Sequence, residues 1–267
     1  MRIATWNVNS LKARQERVEE WLAYAQPDVL CLQETKVSDD AFPHLAFSAL
    51  GYESVHHGQG QWNGVAILSR AGIEAVSTGF DAEGFEGIDP YDGDARLIAA
   101  TCGGVRVVSV YVPNGREVGT EFYERKLEWL GVLRDWLAAT ASPTDDVVVL
   151  GDFNVAPEDR DVWSVKAFAG STHVTGPERA AVGKLCEWGM EDAFRRLYPD
   201  EDRLFTYWDY RAGAFHQHRG MRIDLVLATT PLAERATWSV VDRNARKGKL
   251  PSDHAPVFVD FEDGGPS

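Results

Sequence analysis

The sequence predicts an α/β fold built as one domain, with mixed β-sheets covered by helices. Three observations predict it. Apolar runs of strand length recur along the chain, among them DVLCL, DVVVL and IDLVLAT. Several longer segments between such runs repeat their apolar residues at helical spacing. No Pro-, Gly- or Ser-rich linker and no low-complexity tract interrupts the 267 residues, a length that suits one large domain or two small ones. Residues 1–261 are therefore read as a single unit, and 262–267 (EDGGPS) as a frayed tail.

The elements follow in order. RIATWNVN is a short strand. QERVEEWLAYAQ places Val18, Leu22 and Ala25 on one helical face, and Pro27 follows it. DVLCLQET is a buried strand. WNGVAILSR, ARLIAAT and VRVVSVYVP read as successive strands separated by Gly-rich turns, which favours antiparallel neighbours. EFYERKLEWLGVLRDWL sets Tyr123, Leu127, Leu130, Leu133 and Leu137 on one helical stripe. DVVVLGDFN is another buried strand. Pro177 suits the first turn of a helix through ERAAVGKLCEW, and Gly189 suits its end. IDLVLAT and PVFVDF are the last strands.

Composition narrows the function. The chain is 44% hydrophobic and 25% charged, ordinary globular values, and is long enough to bury a core without disulfides. Cys31, Cys102 and Cys186 are far apart and match no zinc spacing. An odd, unpaired set fits a reducing compartment, and a cytoplasmic location is expected. No signal-peptide pattern opens the chain, and no run of about 18 or more apolar residues spans a membrane. The formal net charge of −14 argues against a simple basic nucleic-acid binder. A phosphate-cleaving site made of carboxylates is itself acidic, however, so local distribution matters more. Residues 203–249 carry Arg211, Arg219, Arg222, Arg235, Arg243, Arg246, Lys247 and Lys249, enough for one basic face, while 80–94 is strongly acidic.

The chemistry-bearing residues gather at strand boundaries. VVVLGDFNVAP follows an apolar strand with Asp152 and Asn154, which a period of two sends to the same side. In an open α/β sheet, ligands sit beyond such strand ends. Gly, Asp and Asn are also turn formers, so a simple turn accounts equally well for this stretch alone. Five other clusters repeat the pattern. Asn7 and Asn9 end the first strand, and Gln33, Glu34 and Lys36 end another. Tyr111 and Asn114 end a third. Asp224 opens a late strand, and Asp253 and His254 precede the last one.

Those residue types suit one reaction. A hard cation such as Mg²⁺ takes oxygen ligands, and Glu34 with Asn7 or Asp253 can supply them. Phosphodiester hydrolysis needs an attacking water, a charge clamp and a stabilised leaving oxygen. Asp152 can accept the water's proton while Asn154 orients the water. His254 can donate to a phosphate oxygen if a carboxylate, such as Asp224, holds its ring. Tyr111 can donate to the phosphate or the leaving group.

Taken together, ATWNVNSLKAR, LQETK, YVPNG, LGDFNVAP, RGMRIDLVLAT and SDHAPV resemble exonuclease III and the apurinic/apyrimidinic (AP) endonuclease family, in order from Met1 to about Phe261. The resemblance implies a four-layer α/β sandwich, with two mixed sheets face to face and helices outside. It implies a Mg²⁺-dependent DNA repair enzyme, with Mn²⁺ as a substitute. Such an enzyme acts on duplex DNA; nothing in the sequence indicates an oligomer, and a monomer is expected. It cuts 5′ to abasic sites and removes nucleotides or blocking groups from 3′ ends. By motif match, Asn7, Glu34 and Asp253 fall at the metal site. Tyr111, Asp152, Asn154, Asp224 and His254 fall at catalytic positions, with Asp152 favoured over Tyr111 as base because a carboxylate is ionised at neutral pH. Tyr207, Trp208, Met221 and Ile223 match positions lining the pocket for the extrahelical sugar. Met221 stands where an aromatic residue or leucine is familiar. Asn114, Arg116 and Arg211 match DNA-facing loops. A phosphoesterase of the same superfamily acting on phosphoinositides or phospholipids shares the core motifs, as does a non-catalytic DNA-binding module. The former has no need of YWDYRAG…RGMRID, and the latter no need of Glu34, Asp152 and His254.

Overall fold

The structure, a computed structural model, describes residues 1–263. Among them are the strands β1 (Arg2–Asn7), β2 (Val29–Gln33), β3 (Glu53–His57), β4 (Val65–Ser69), β5 (Glu74–Thr78), β6 (Leu97–Cys102), β7 (Val105–Tyr111), β8 (Val147–Asp152), β9 (Met190–Asp192), β10 (Asp224–Thr229), β11 (Ala236–Val241) and β12 (Val257–Phe261). The helices are α1 (Leu11–Ala25), α2 (His44–Ala49), α3 (Glu121–Thr140), α4 (Val165–Phe168), α5 (Gly176–Trp188), α6 (Ala193–Leu197) and α7 (Thr230–Ala233). The strands form two six-stranded sheets, ordered β11-β12-β1-β2-β4-β3 and β5-β6-β7-β8-β10-β9. Each sheet holds one parallel pair, β1–β2 and β7–β8, and each pair is joined by a crossover helix, α1 or α3.

The apolar patterning explains the layers. β2, β4, β8 and β10 are buried along their whole length, so both faces are covered and the runs need not alternate with polar residues. Ile3, Val29, Ile67, Val107, Leu150, Val226 and Val259 fill the space between the sheets. α1 and α2 cover the outer face of the first sheet through Val18, Trp21, Leu22 and Phe47. α3 and α5 cover the second through Trp129, Leu130, Trp136 and Leu185. The result is the expected four-layer α/β sandwich. Trp129 and Trp136 are each 1% exposed, so truncating either to alanine costs about 3–5 kcal/mol. A polar thread also crosses the core: Thr5 donates to Gln33, and Gln33 donates to Ser109 of the facing sheet.

Three readings of the chain need correction. WNGVAILSR is β4 and pairs with β2 and β3; only ARLIAAT and VRVVSVYVP, β6 and β7, are antiparallel neighbours of one another. β3, β5, β9 and β11, mostly short or partly exposed, carry too little apolar signal to stand out. On α3, Leu127 is only half-buried and Lys126, one residue earlier, is fully buried. Pro177 and Gly189 do mark the two ends of α5, and Thr175 with Glu178 adds a capping box. Glu262 still donates its backbone N–H to Arg235, and Asp263 lies 3.4 Å from the N-terminal ammonium; residues 264–267 of the expected frayed tail lie outside the described residues. No helix among the described residues is long and apolar enough to cross a membrane.

Candidate active site

Strand register builds the floor of the site. Asp152 ends β8 and is the ladder partner of Tyr111 on β7 and of Asp224 on β10. Three functional side chains therefore stand in one row across the second sheet. The glycine before Asp152 is dictated by packing. Gly151 has φ +149°, and a Cβ there would lie 1.9 Å from the Val110 carbonyl oxygen. GDFN forms the turn that its residue types favour. Asp152 Oδ1 accepts the backbone N–H of Asn154 at 2.9 Å, a local Asx-type turn, and Asn154 adopts φ +50°. Both side chains remain buried at the site rather than dissolving into a surface loop.

The first sheet supplies the opposite side. Asn7, the last residue of β1, donates from Nδ2 to Glu34 Oε1 at 2.8 Å and to Asp152 Oδ2 at 2.9 Å. One amide thus joins two carboxylates from different sheets. His254 Nδ1 lies 2.8 Å from Asp224 Oδ2, and its Nε2 lies 3.8 Å from Asp152 Oδ2. Asp224 therefore orients the ring, while Nε2 and Asp152 face each other without a hydrogen bond. Ser252 donates to the Asn7 carbonyl and accepts the His254 N–H, tying the SDH segment to β1. Its role was not apparent in the sequence, although it lies in the SDH motif itself.

Electrostatics follow from this crowding. Burial, with Asp224 and Glu34 adding to it, raises Asp152 to about 7 despite the neighbouring imidazolium. For His254, burial favours the neutral ring, but Asp224 and Asp152 outweigh it and push the imidazolium up to about 10. Burial and the charge of Glu34 hold the Tyr111 phenol well above its ordinary value. At neutral pH the site therefore offers a carboxylate near its titration point, a charged imidazolium and a neutral phenol.

The donor set also fits a metal ion. The Glu34 and Asp152 carboxylates meet at the Asn7 amide nitrogen, while Asn7 Oδ1 accepts the Asn9 N–H; these oxygens are a hard donor set without cysteine. Asp152, Asp224 and His254 place ligand-type atoms within 4.8 Å of one another, and Asp224 Oδ1 is buried with no hydrogen-bond partner. Glu34 Oε2 pairs with the Lys36 ammonium at 2.8 Å, which shows that it accepts a cation. Opposing burial, Lys36 and Asn7 keep the Glu34 carboxyl below its ordinary value. Asp253 is not in direct contact with Glu34. It connects through Asn9, which donates to Asp253 Oδ1 at 3.1 Å and accepts from Lys36 at 2.6 Å.

A family model described as "Endonuclease/Exonuclease/phosphatase family" matches residues 4–254, almost the whole chain. The chain belongs to this family. Its relatives include exodeoxyribonuclease III of Haemophilus influenzae, 33% identical over 98% of this chain and 100% of the relative. An AP endonuclease structure from Archaeoglobus fulgidus superposes with a TM-score of 0.93 at 39% identity, covering 98% of this chain and 100% of that one. A Neisseria 3′ phosphatase solved with a product DNA hairpin gives 0.91 at 35% identity, covering 98% and 99%. The family is thus represented by its exonuclease III and AP endonuclease members.

Beside the family's strand-end floor lies a cleft of about 390 Å³, lined among others by Trp163, His173, Tyr207, Arg211 and Met221. Tyr207 packs on His254 with ring centroids 5.0 Å apart, so the cleft opens one ring away from the Asp224–His254 pair. Tyr207 and Met221 exchange backbone hydrogen bonds and form one wall. Two expected lining residues lie elsewhere. Trp208 is fully buried, packed with Phe205 and Ala255 behind the wall, because side chains adjacent to Tyr207 in an extended segment point the other way. Ile223 is 2% exposed and packs on Ala156 and Val162. Asn114 turns to the floor and donates to Asn154 Oδ1 at 3.1 Å. Arg116 is exposed over the ring of Phe122, and Arg211 forks onto Asp209. The basic stretch is also less of a surface than its composition suggests. Arg222 and Arg246 are buried, and Arg222 is bound to Asp161 and Asp192.

Proposed function

We propose that this chain is a Mg²⁺-dependent AP endonuclease that cuts duplex DNA 5′ to abasic sites and also trims 3′ ends, with Mn²⁺ as a substitute ion. Residues 1–261 act as one catalytic unit, a cytoplasmic monomer. The observation that carries this reading is the arrangement of the Asp152–His254–Asp224 row one aromatic ring away from a cleft of sugar-sized dimensions. Kinship to proteins named exodeoxyribonuclease III and AP endonuclease supports it.

The residues divide the work. Asp152 takes the proton of the attacking water, and Asn154, fixed by the Asp152 carboxylate at its own N–H, orients that water. His254 donates from Nε2 to a non-bridging phosphate oxygen, with Asp224 accepting from Nδ1 and fixing the ring's orientation. Tyr111, kept neutral, donates to the phosphate. Glu34, Asn7 and Asp253 would hold the metal ion, which stabilises the developing charge on phosphate and leaving oxygen. Tyr207 and Met221 receive the flipped, baseless sugar, and extrusion costs least where stacking is already lost.

The test uses three substrates with Mg²⁺: duplex DNA bearing an abasic analogue, intact duplex, and a phosphoinositide. Incision at the abasic position, abolished by a chelator, is expected. Cleavage of the lipid alone would overturn the assignment.

A further inference from the structure

Lys126 is a buried charge that the reaction above leaves unused. It projects from α3, is 0% exposed, and lies beneath the floor. Its ammonium donates to Glu178 Oε1 at 2.5 Å, to the Asn154 carbonyl at 2.7 Å and, at 3.3 Å, to the Asn114 carbonyl. Glu178 is equally buried and is fixed from every side. Thr172 Oγ1 and the His173 N–H donate to Oε1, and the Thr175 N–H and hydroxyl donate to Oε2. Above the ammonium, the side chains of Asn114 and Asn154 bond to each other, and Asn154 Nδ2 reaches the Val112 carbonyl. Gly115, at φ +84°, brings the chain so close that a Cβ would lie 2.8 Å from Lys126 Cδ.

We propose that Lys126, with Glu178 as its anchored counter-ion, is a positioning residue that sets the Asn154 and Asn114 amides at the water-binding end of the site. This rests on the reading of Asn154 as the group that orients the attacking water. An ion pair serving only to join α3 to α5 would need one contact, Lys126 to Glu178. Here two further donor directions go to main-chain oxygens of site residues. Asn154 sits at φ +50°, a backbone conformation that must be held by its surroundings. The Lys126 ammonium and the His173 ring, whose Nδ1 lies 2.5 Å from the same carbonyl, both hold it there. A buried ion pair is otherwise a poor source of stability, since desolvation offsets the attraction.

The experiment compares wild type, Lys126→Met, Lys126→Met/Glu178→Gln and Asn154→Ala, the double variant avoiding an unpaired buried carboxylate. On abasic duplex, the folded Lys126 variants are expected to lose about 10- to 100-fold in kcat with KM nearly unchanged. In the Asn154→Ala background the same replacement is expected to cost less than about threefold, because its target is gone. Full additivity, or a kcat within about threefold of wild type, would overturn the proposal. A second readout needs no substrate. In ¹⁵N-labelled protein the side-chain amide signals of Asn114 and Asn154 should move in Lys126→Met/Glu178→Gln; unmoved signals would overturn the proposal even if abasic DNA proved to be the wrong substrate. Absence of incision by wild type would instead count against the proposed function, leaving the amide shifts to judge Lys126.

Discussion

The strand ends that carry Asp152 and the loop that carries Met221 lie side by side, with the Tyr207 ring between them, yet different forces hold them. On the floor, Tyr111, Asp152 and Asp224 are neighbours in a continuous hydrogen-bonded ladder, so their spacing is set by sheet geometry. The wall has no such ladder. Residues 203–223 contribute only isolated bridges, Tyr207 to Met221 and to His254, and Met221 to Val162. Their anchor is charge. Arg222, between Met221 and Ile223, is 1% exposed and bonds Asp161 through two nitrogens and Asp192 through a third. Arg195 adds a second cation on Asp161. The floor is rigid through backbone pairing and the wall through a buried ionic cluster. The groups proposed to react therefore sit on the element with the least freedom, and the wall proposed to select the substrate sits where side chains can change without breaking a sheet.

The contrast can be broken experimentally, and the largest effect is expected on the floor. Asp152→Asn should lower kcat by about 10²- to 10⁴-fold while DNA binding persists. A loss below tenfold, or loss of binding with turnover preserved, would remove Asp152 from the role of base. Next, Arg222→Met leaves Asp192 without its cation and Asp161 with Arg195 alone, and should cost about 3–5 kcal/mol in denaturant unfolding. A cost under about 1 kcal/mol would mean that the wall does not depend on this cluster.

A smaller and graded effect is expected with pH. With Asp152 as the proposed base and its carboxyl raised to about 7 by burial, kcat/KM should fall about tenfold per unit as pH drops below that value. His254 must be protonated and titrates near 10, so activity should fall again above it. The two limbs belong to the coupled pair rather than to either residue alone. A profile that stays flat between pH 5 and 9 would sink this assignment. The smallest effect is expected from Met221→Leu on the wall. Stability should change by less than about 1.5 kcal/mol, since volume is conserved. The ratio of abasic incision to 3′-end removal should shift by at most about tenfold, measured on paired substrates. A change of several orders of magnitude would place Met221 on the floor's side of the comparison.

Much of the floor was legible beforehand. Asn7, Glu34, Tyr111, Asp152, Asp224 and His254 stand where apolar strands end or begin, and a polar residue there is visible against its neighbours. The structure brings these six together. Lys126 was hidden because its charge interrupts an apolar stripe, and periodicity placed Leu127 inside instead. Its partner had a local sign, the Thr175-to-Glu178 capping box, but that spacing speaks of a helix start and not of a buried cation. Trp208 and Ile223 were assigned to the cleft by motif, whereas alternation sends Trp208 behind Tyr207, and Ile223 packs beneath Met221 with Ala156 and Val162.

What the amino-acid sequence determined by itself is the run of strands and helices, the residue types at strand boundaries, and membership of the family, because each depends on short stretches of chain. What only the tertiary structure decided is which side chains meet. Asn7 reaches Asp152 across 145 positions, His254 reaches Asp224 across 30, and Lys126 reaches Glu178 across 52. Those meetings come from register between strands and packing between layers, which bring distant residues together at a cost in chain entropy that no local pattern records.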